Sequence, residues 1–212
     1  MVAGETKEDD GRFWGLVLRP GLCFHDGEPV LARDCVASIR RWARWDVLGS
    51  PLLATTEDLS APDDRRIRFR LSRPFPLLPQ ARGKAGANVC AIMPERQART
   101  DSFAQAPEMV GSGPLRLPAA EQVAGPRVAY GRFAGYCPRE DGTPDFMAGP
   151  KIAHFDRVVW ITQPDPGTVA ALQAGEVDWV VQPLPALLPL LRRNPSLQVS
   201  RRTRPAMSGS SG

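Results

Sequence analysis

Two histidines (His25, His154) and four cysteines (Cys23, Cys35, Cys90, Cys137) are the side chains of this 212-residue sequence best suited to metal ligation or nucleophilic chemistry. Their spacing supports neither. A zinc or iron–sulfur centre gathers several thiolates or imidazoles through short spacings such as C-x-x-C, and no such pair occurs here. The cysteines read as isolated thiols or small core residues, with one disulfide open in an oxidising compartment. There is no G-x-S-x-G elbow to expose a serine nucleophile and no Walker loop. Gly111-Ser112-Gly113 is a short glycine-rich turn, but Pro114 and an extended run follow it, so no helix opens there to cradle a phosphate. The carboxylates are numerous, and sequence alone pairs no two of them across a cleft as acid and base. No catalytic residue is assigned, and neither a metal nor a cofactor is expected.

The net charge of +4 invites a nucleic-acid reading. Of the 27 basic residues only Lys7, Lys84 and Lys151 are lysines, a bias that often follows genome composition. Arginines alternate with apolar residues from Arg66 to Leu71, as on the solvated face of a strand, and Asp63, Asp64, Glu95 and Asp101 balance others. A concentrated cluster occurs only at Arg192, Arg193, Arg201, Arg202 and Arg204, without a nucleic-acid-binding motif, so no nucleic-acid partner is expected. The longest uncharged stretch, Trp179 to Leu191, is 13 residues with three prolines, too short for a bilayer span of ~18 or more, so no membrane insertion is expected. The first residues lack the basic and apolar regions of a secretory signal.

Leu, Ile, Val and Phe make up 49 of 212 residues, or 23%, above the ~20% below which chains rarely bury a core. Gly and Pro together reach 19%, which predicts short elements separated by many turns. Residues 1–9 are polar and expected to be disordered. Phe13–Arg19 reads as a strand, Leu22–Phe24 as a short extended run, and Asp26-Gly27 as a turn. After Pro29, apolar residues at 31, 35, 36, 39 and 42 form a helical stripe. Gly49-Ser50-Pro51 breaks that helix. Ile67, Phe69 and Leu71 alternate as a strand; Pro74, Pro76 and Pro79 then forbid a central strand, while Leu77, Leu78 and Ala81 fit a short helix. Composition turns polar after Pro94, which suggests a boundary there.

Beyond it, residues 115–117, 127–130 and 157–162 read as strands. Asp165-Pro166 starts a helix that Gly175 ends. Residues 176–181 read as a strand, 186–193 as a short helix, and 201–212 as a disordered tail.

Four stretches in this order resemble one family, the extracytoplasmic solute-binding proteins of the peptide/nickel class, family 5, that serve ABC transporters. Pro20-Gly21-Leu22-Cys23-Phe24-His25-Asp26-Gly27-Glu28-Pro29-Val30 with Ala32 and Asp34 resembles the "G-x-x-F-H-D-G-x-P-V-T-A-x-D-V" signature. Asp63 to Pro76 resembles "D-D-x-T-x-x-x-x-L-x-x-P-F-P". Val110-Gly111-Ser112-Gly113-Pro114 resembles "V-G-T-G-P-Y/F", and Ala171 to Asp178 resembles "A-L-x-x-G-E-V/I-D". His25, Asp26, Gly27, Pro29, Gly111, Gly113, Pro114, Gly175 and Asp178 read as fold determinants: Gly27 takes positive φ, Gly111 and Gly113 permit a bend, and Gly175 stops a helix so that Val177 enters a sheet with Asp178 at its edge.

The resemblance implies a mixed α/β fold, periplasmic-binding-protein-like of type II. It is incomplete: a front subdomain over 10–95, part of the first lobe over 96–200, and a missing second lobe. It further implies a non-enzymatic, periplasmic component of an importer that captures oligopeptides or a related small solute and docks on an ABC permease. Val181, Gln182 and Pro183 align with ligand-contacting backbone, and Ala87, Asn88, Ser50 and Leu52 fall where the front subdomain lines the cleft. With one lobe missing, weak or no binding is expected, and apolar surface is left uncovered. A structural or interaction remnant and a basic nucleic-acid-binding domain are the alternatives.

Overall fold

The computed structural model describes residues 1–84, 88–118, 121, 126–144 and 149–200. The chain forms two compact units, Met1–Val123 with Val128–Val159, and Ala124–Arg127 with Trp160–Gly212. The expected tail at 201–212 lies outside the described residues.

The first unit is built on a four-stranded antiparallel sheet ordered β1-β2-β4-β3, from β1 (Val2–Glu8), β2 (Phe13–Leu18), β3 (Thr56–Ser60) and β4 (Arg66–Leu71). Alternation places Trp14, Leu16 and Leu18 on one face beside Ile67, Phe69 and Leu71, and the register sets Trp14 opposite Phe69 and Leu16 opposite Ile67. Arg66, Arg68 and Arg70 take the opposite, solvated face. Helix α1 (Ala32–Ala43) turns Cys35 and Ile39 into the same core, and Trp42 and Ala43 into a smaller adjoining one.

Three expectations are corrected here. Residues 2–8, expected to be disordered, form β1. The Asp9–Gly11 turn, with Asp9, Asp10 and Gly11 all at positive φ, folds them back onto β2, where backbone pairing stabilises a strand whose side chains point into water. Gly49-Ser50-Pro51 does not merely break α1 but begins α2 (Gly49–Thr55). The Asp46 carboxylate accepts the N–H groups of Leu48 and Gly49 at 2.9 and 3.0 Å, which supplies the cap. Gly49 is required there, because a Cβ would lie 2.7 Å from the Ala43 backbone. Finally, residues 176–181 form no strand; among the described residues no neighbouring strand pairs with them.

The first unit runs on past Pro94 through short helices α3 (Leu78–Gly83) and α4 (Glu95–Ala98). Buried Asp34 accepts the Leu31 N–H at the start of α1 and the Glu95 N–H at the start of α4, each at 2.8 Å. Arg41 donates to the Thr100 and Ala104 carbonyls at 2.7 and 2.6 Å, carrying the contact further along the chain. Strands β5 (Leu115–Arg116), β6 (Arg127–Arg132) and β7 (Arg157–Ile161) form a second sheet in that order.

The second unit contains α5 (Asp165–Gln173) and α6 (Leu188–Arg192). Gly175, at φ +75°, ends α5 as expected, and Glu176 donates back to the Ala171 carbonyl at 2.9 Å. Trp160, Trp179, Val181 and Leu184 of this unit are exposed. No described helix is long and apolar enough to cross a membrane.

Candidate functional site

The motif residues of the first and third stretches meet in space. His25 sits in a tight turn in which Phe24 N–H donates to the Glu28 carbonyl, Gly27 N–H to the Phe24 carbonyl, and Gly27 takes φ +92°. The imidazole bridges the far segment: Nδ1 accepts the Gly111 N–H at 3.3 Å, and Nε2 lies 3.1 Å from the Gly113 carbonyl oxygen. Together these bonds require the neutral Nε2–H tautomer. The His25 N–H donates to the Gly111 carbonyl at 2.8 Å, and Phe133 meets the ring edge-on at 5.1 Å. The chain bends at Gly113-Pro114 into strand β5, as expected, without positive φ at Gly111 or Gly113. A Cβ on Gly111 would meet the imidazole Cε1 at 3.4 Å, an ordinary packing contact. Pro114 accepts the Phe133 N–H at 2.9 Å.

Asp26 secures the other side of the turn. Its carboxylate accepts from Arg96 at 2.7 Å, and the same guanidinium reaches Glu108 at 3.0 Å. Partial burial pushes the Asp26 carboxyl up, but the Arg96 bond and the Glu28 N–H outweigh it and hold it below the usual carboxylate value. Pro29 closes the turn by bridging Cys23.

Burial is the main force holding His25 below its usual value of 6.5; Arg116 adds to it, while the Gly113 bond and Asp26 oppose it. The unfolded chain therefore takes up this proton more readily than the folded one. His25 contributes its full stability above about pH 6.5, and that contribution is lost as the pH falls below 6.5 toward the folded value. The urea midpoint of the wild type should thus drop relative to His25→Gln between about pH 7 and pH 5. A wild-type-minus-variant difference that stays level with pH would remove the linkage.

The residues expected to line a cleft are placed as follows. Leu52 is 1% exposed within the core, so its side chain is no cleft contact; it lies on the inner face of a helix that the sequence did not reveal. Ser50 is exposed, donates to the Ala43 carbonyl at 2.8 Å, and lines a shallow depression of about 390 Å³ with Arg44, Leu53 and Phe103. Asn88, at φ +61°, accepts the Trp42 indole N–H at 2.8 Å. Ser50 and Asn88 therefore flank Trp42 and Ala43, beside the ion pair of buried Asp46 with Lys84. Burial pushes the Asp46 carboxyl up, but Lys84 and the Leu48 and Gly49 N–H groups prevail and hold it low. Ala87 lies outside the described residues. Val181, Gln182 and Pro183 lie in the second unit, with Val181 exposed and Gln182 at φ +55°. Asp178 is exposed in a bend, not at a sheet edge.

A larger groove of about 790 Å³ runs over the outer face of α1, lined by Arg33, Arg40, Arg44, Arg99, Glu95 and Thr100 among others. It contains none of the residues expected to contact ligand. No cluster of three or more metal-ligating side chains occurs among the described residues.

The family model for bacterial extracellular solute-binding proteins, family 5 Middle, matches residues 1–210. A probable peptide ABC transporter periplasmic-binding protein of Sinorhizobium fredii is 40% identical over 202 residues, covering 94% of this chain and 37% of that protein. Among solved structures, DppA of Helicobacter pylori in complex with the peptide STSA shares 20% identity at a TM-score of 0.69, over 92% of this chain and 40% of that one. NikA of Staphylococcus aureus, in complex with nickel and L-histidine, shares 16% identity at a TM-score of 0.67, over 94% and 38%. The chain thus spans well under half the length of these relatives. With the His25-Asp26-Gly27 turn locked to Gly111 and Gly113, and the family match running nearly end to end, the chain belongs to the family 5 bacterial extracellular solute-binding proteins.

Proposed function

We propose that this chain supplies part of the solute-binding shell of the receptor component of an ABC importer, with an oligopeptide or similar small solute as ligand and a permease as partner. The observation that carries this reading is the 40% identity, over 94% of the chain, to a relative described as a probable peptide transporter binding protein. The periplasm is the corresponding compartment, and capture without chemical conversion is the corresponding activity. Residues 10–95 correspond to the front subdomain and 96–200 to part of the first lobe. Val181, Gln182 and Pro183 offer backbone carbonyls and an amide to a strand-like ligand.

Capture of this kind relies on two lobes closing over the ligand, and one lobe alone supplies about half of the contacts while the ordering cost of the ligand remains. The isolated chain is therefore expected to bind peptides only weakly. Isothermal titration with defined tri- and tetrapeptides, with nickel–histidine as the comparison ligand, should show at most millimolar binding. Joining the chain to the remaining length of its Sinorhizobium relative should restore capture of peptide, not of the nickel complex. Micromolar binding by the isolated chain would contradict the shared-shell reading, and a joined protein selective for nickel–histidine would contradict the peptide assignment.

A further inference from the structure

The segment that carries the His25 turn is held against a second segment, residues 133–138, by an unusual concentration of sulfur and guanidinium contacts. Arg19 donates to the Cys137 and Pro138 carbonyls at 3.0 and 2.8 Å and lies 3.9 Å from the Cys137 sulfur. The Cys23 thiol donates to the Gly135 carbonyl at 2.9 Å, and the Cys137 sulfur lies 4.0 Å from the Pro20 carbonyl oxygen. A Cβ on Gly135 would stand 3.2 Å from the Cys23 sulfur, and one on Gly21 would stand 3.9 Å from the Cys137 sulfur. The segments therefore pass one another antiparallel, with Cys23 facing Gly135 and Gly21 facing Cys137. Each cysteine lies diagonally across from the other, and the absent side chains of the two glycines leave room for the sulfurs. A disulfide spans about 4.4–6.8 Å between Cα atoms, and each cysteine stands two residues from a turn, at Pro20-Gly21 with Gly21 at φ +72° and at residues 134–135, where the backbone can adjust to form it.

We propose that Cys23 and Cys137 are a redox-responsive pair that closes to a disulfide on meeting a small disulfide oxidant, stapling the His25 turn to the 133–138 segment. One cysteine thiolate attacks the oxidant's disulfide, forming a mixed disulfide and releasing one thiol. The second cysteine then attacks the protein sulfur of that mixed disulfide and releases the other thiol. Two protein thiols are oxidised, and the two electrons and two protons reduce one oxidant disulfide to two thiols. The other two cysteines are poor competitors. Burial drives both Cys35 and Cys90 up to about 12, which leaves almost no thiolate at neutral pH.

Incubating the full chain with oxidised glutathione, then unfolding and alkylating it, tests the pairing. The count of alkylatable thiols should fall from four to two, and peptide mapping should recover one cross-link, Cys23 to Cys137. Dithiothreitol should restore all four. Cys23→Ser and Cys137→Ser should each abolish the cross-link, and oxidation should raise the Tm of the wild type alone. A Cys35–Cys90 link, glutathione left attached at both Cys23 and Cys137, or four thiols still free would each overturn the proposal. Mapping on the wild-type chain decides this without any variant, and independently of which ligand the receptor takes.

Discussion

Phe69→Ala should destabilise the first unit by about 3–5 kcal/mol, the range for truncating a fully buried aromatic side chain. Phe69 is 0% exposed, faces Trp14 on β2 and Leu59 on β3, and occupies the middle of the sheet's buried face. Removing the ring forfeits its transfer free energy and leaves a cavity between two ladders of backbone hydrogen bonds that cannot collapse without distorting the sheet. Urea unfolding followed by tryptophan fluorescence should show the midpoint falling by about 1–2 M, since m for a chain of this size is a few kcal/mol per molar. Arg68→Ala, on the other face of the same strand, is the control and should shift the midpoint little, because surface substitutions usually stay within about 0.5 kcal/mol. Equal losses at the two positions would mean that the alternation does not set the buried face.

Asp34→Ala should cost about 3 kcal/mol, a large effect for a single side chain. One buried carboxylate serves two helix starts, accepting the Leu31 N–H with one oxygen and the Glu95 N–H with the other, each at 2.8 Å. Alanine would take the acceptor from both half-buried donors at once, which costs more than the net worth of a typical hydrogen bond. Asparagine retains one acceptor oxygen, so Asp34→Asn should lose roughly half as much. Hydrogen exchange supplies a local reading: the Leu31 and Glu95 amides should lose protection together in Asp34→Ala, whereas Asp34→Asn should keep one of them protected. Protection unchanged in Asp34→Ala would remove the shared-cap account.

Much of the first unit was legible in advance. The alternation at 67, 69 and 71 and the helical stripe at 35, 39 and 42 identify β4 and α1, because an apolar period reports directly which face an element buries. β3 was not legible, since Leu59 is its only buried residue and one residue carries no period. α2 is not legible, because Gly49 and Pro51 read as breakers. In fact Asp46, outside the helix, caps it, and the glycine is needed for contact with Ala43. Leu52 depends on the same helix: in a loop it would line a cleft, but on the inner face of α2 it fills the core.

The sequence by itself determined the family, the turn glycines Gly27 and Gly175, and which faces of β2, β4 and α1 are apolar. These depend on residue type and spacing over a few positions. Only the tertiary structure decided that Val2–Glu8 would pair as a strand, that 176–181 would not, and that His25 would lock onto Gly113, 88 residues away. It likewise set Arg19 against Cys137, 118 residues away. A local pattern states that a backbone ladder, an imidazole or a guanidinium needs a partner. Which partner it finds depends on where distant segments are brought by the closing of the core, and no short-range period records that.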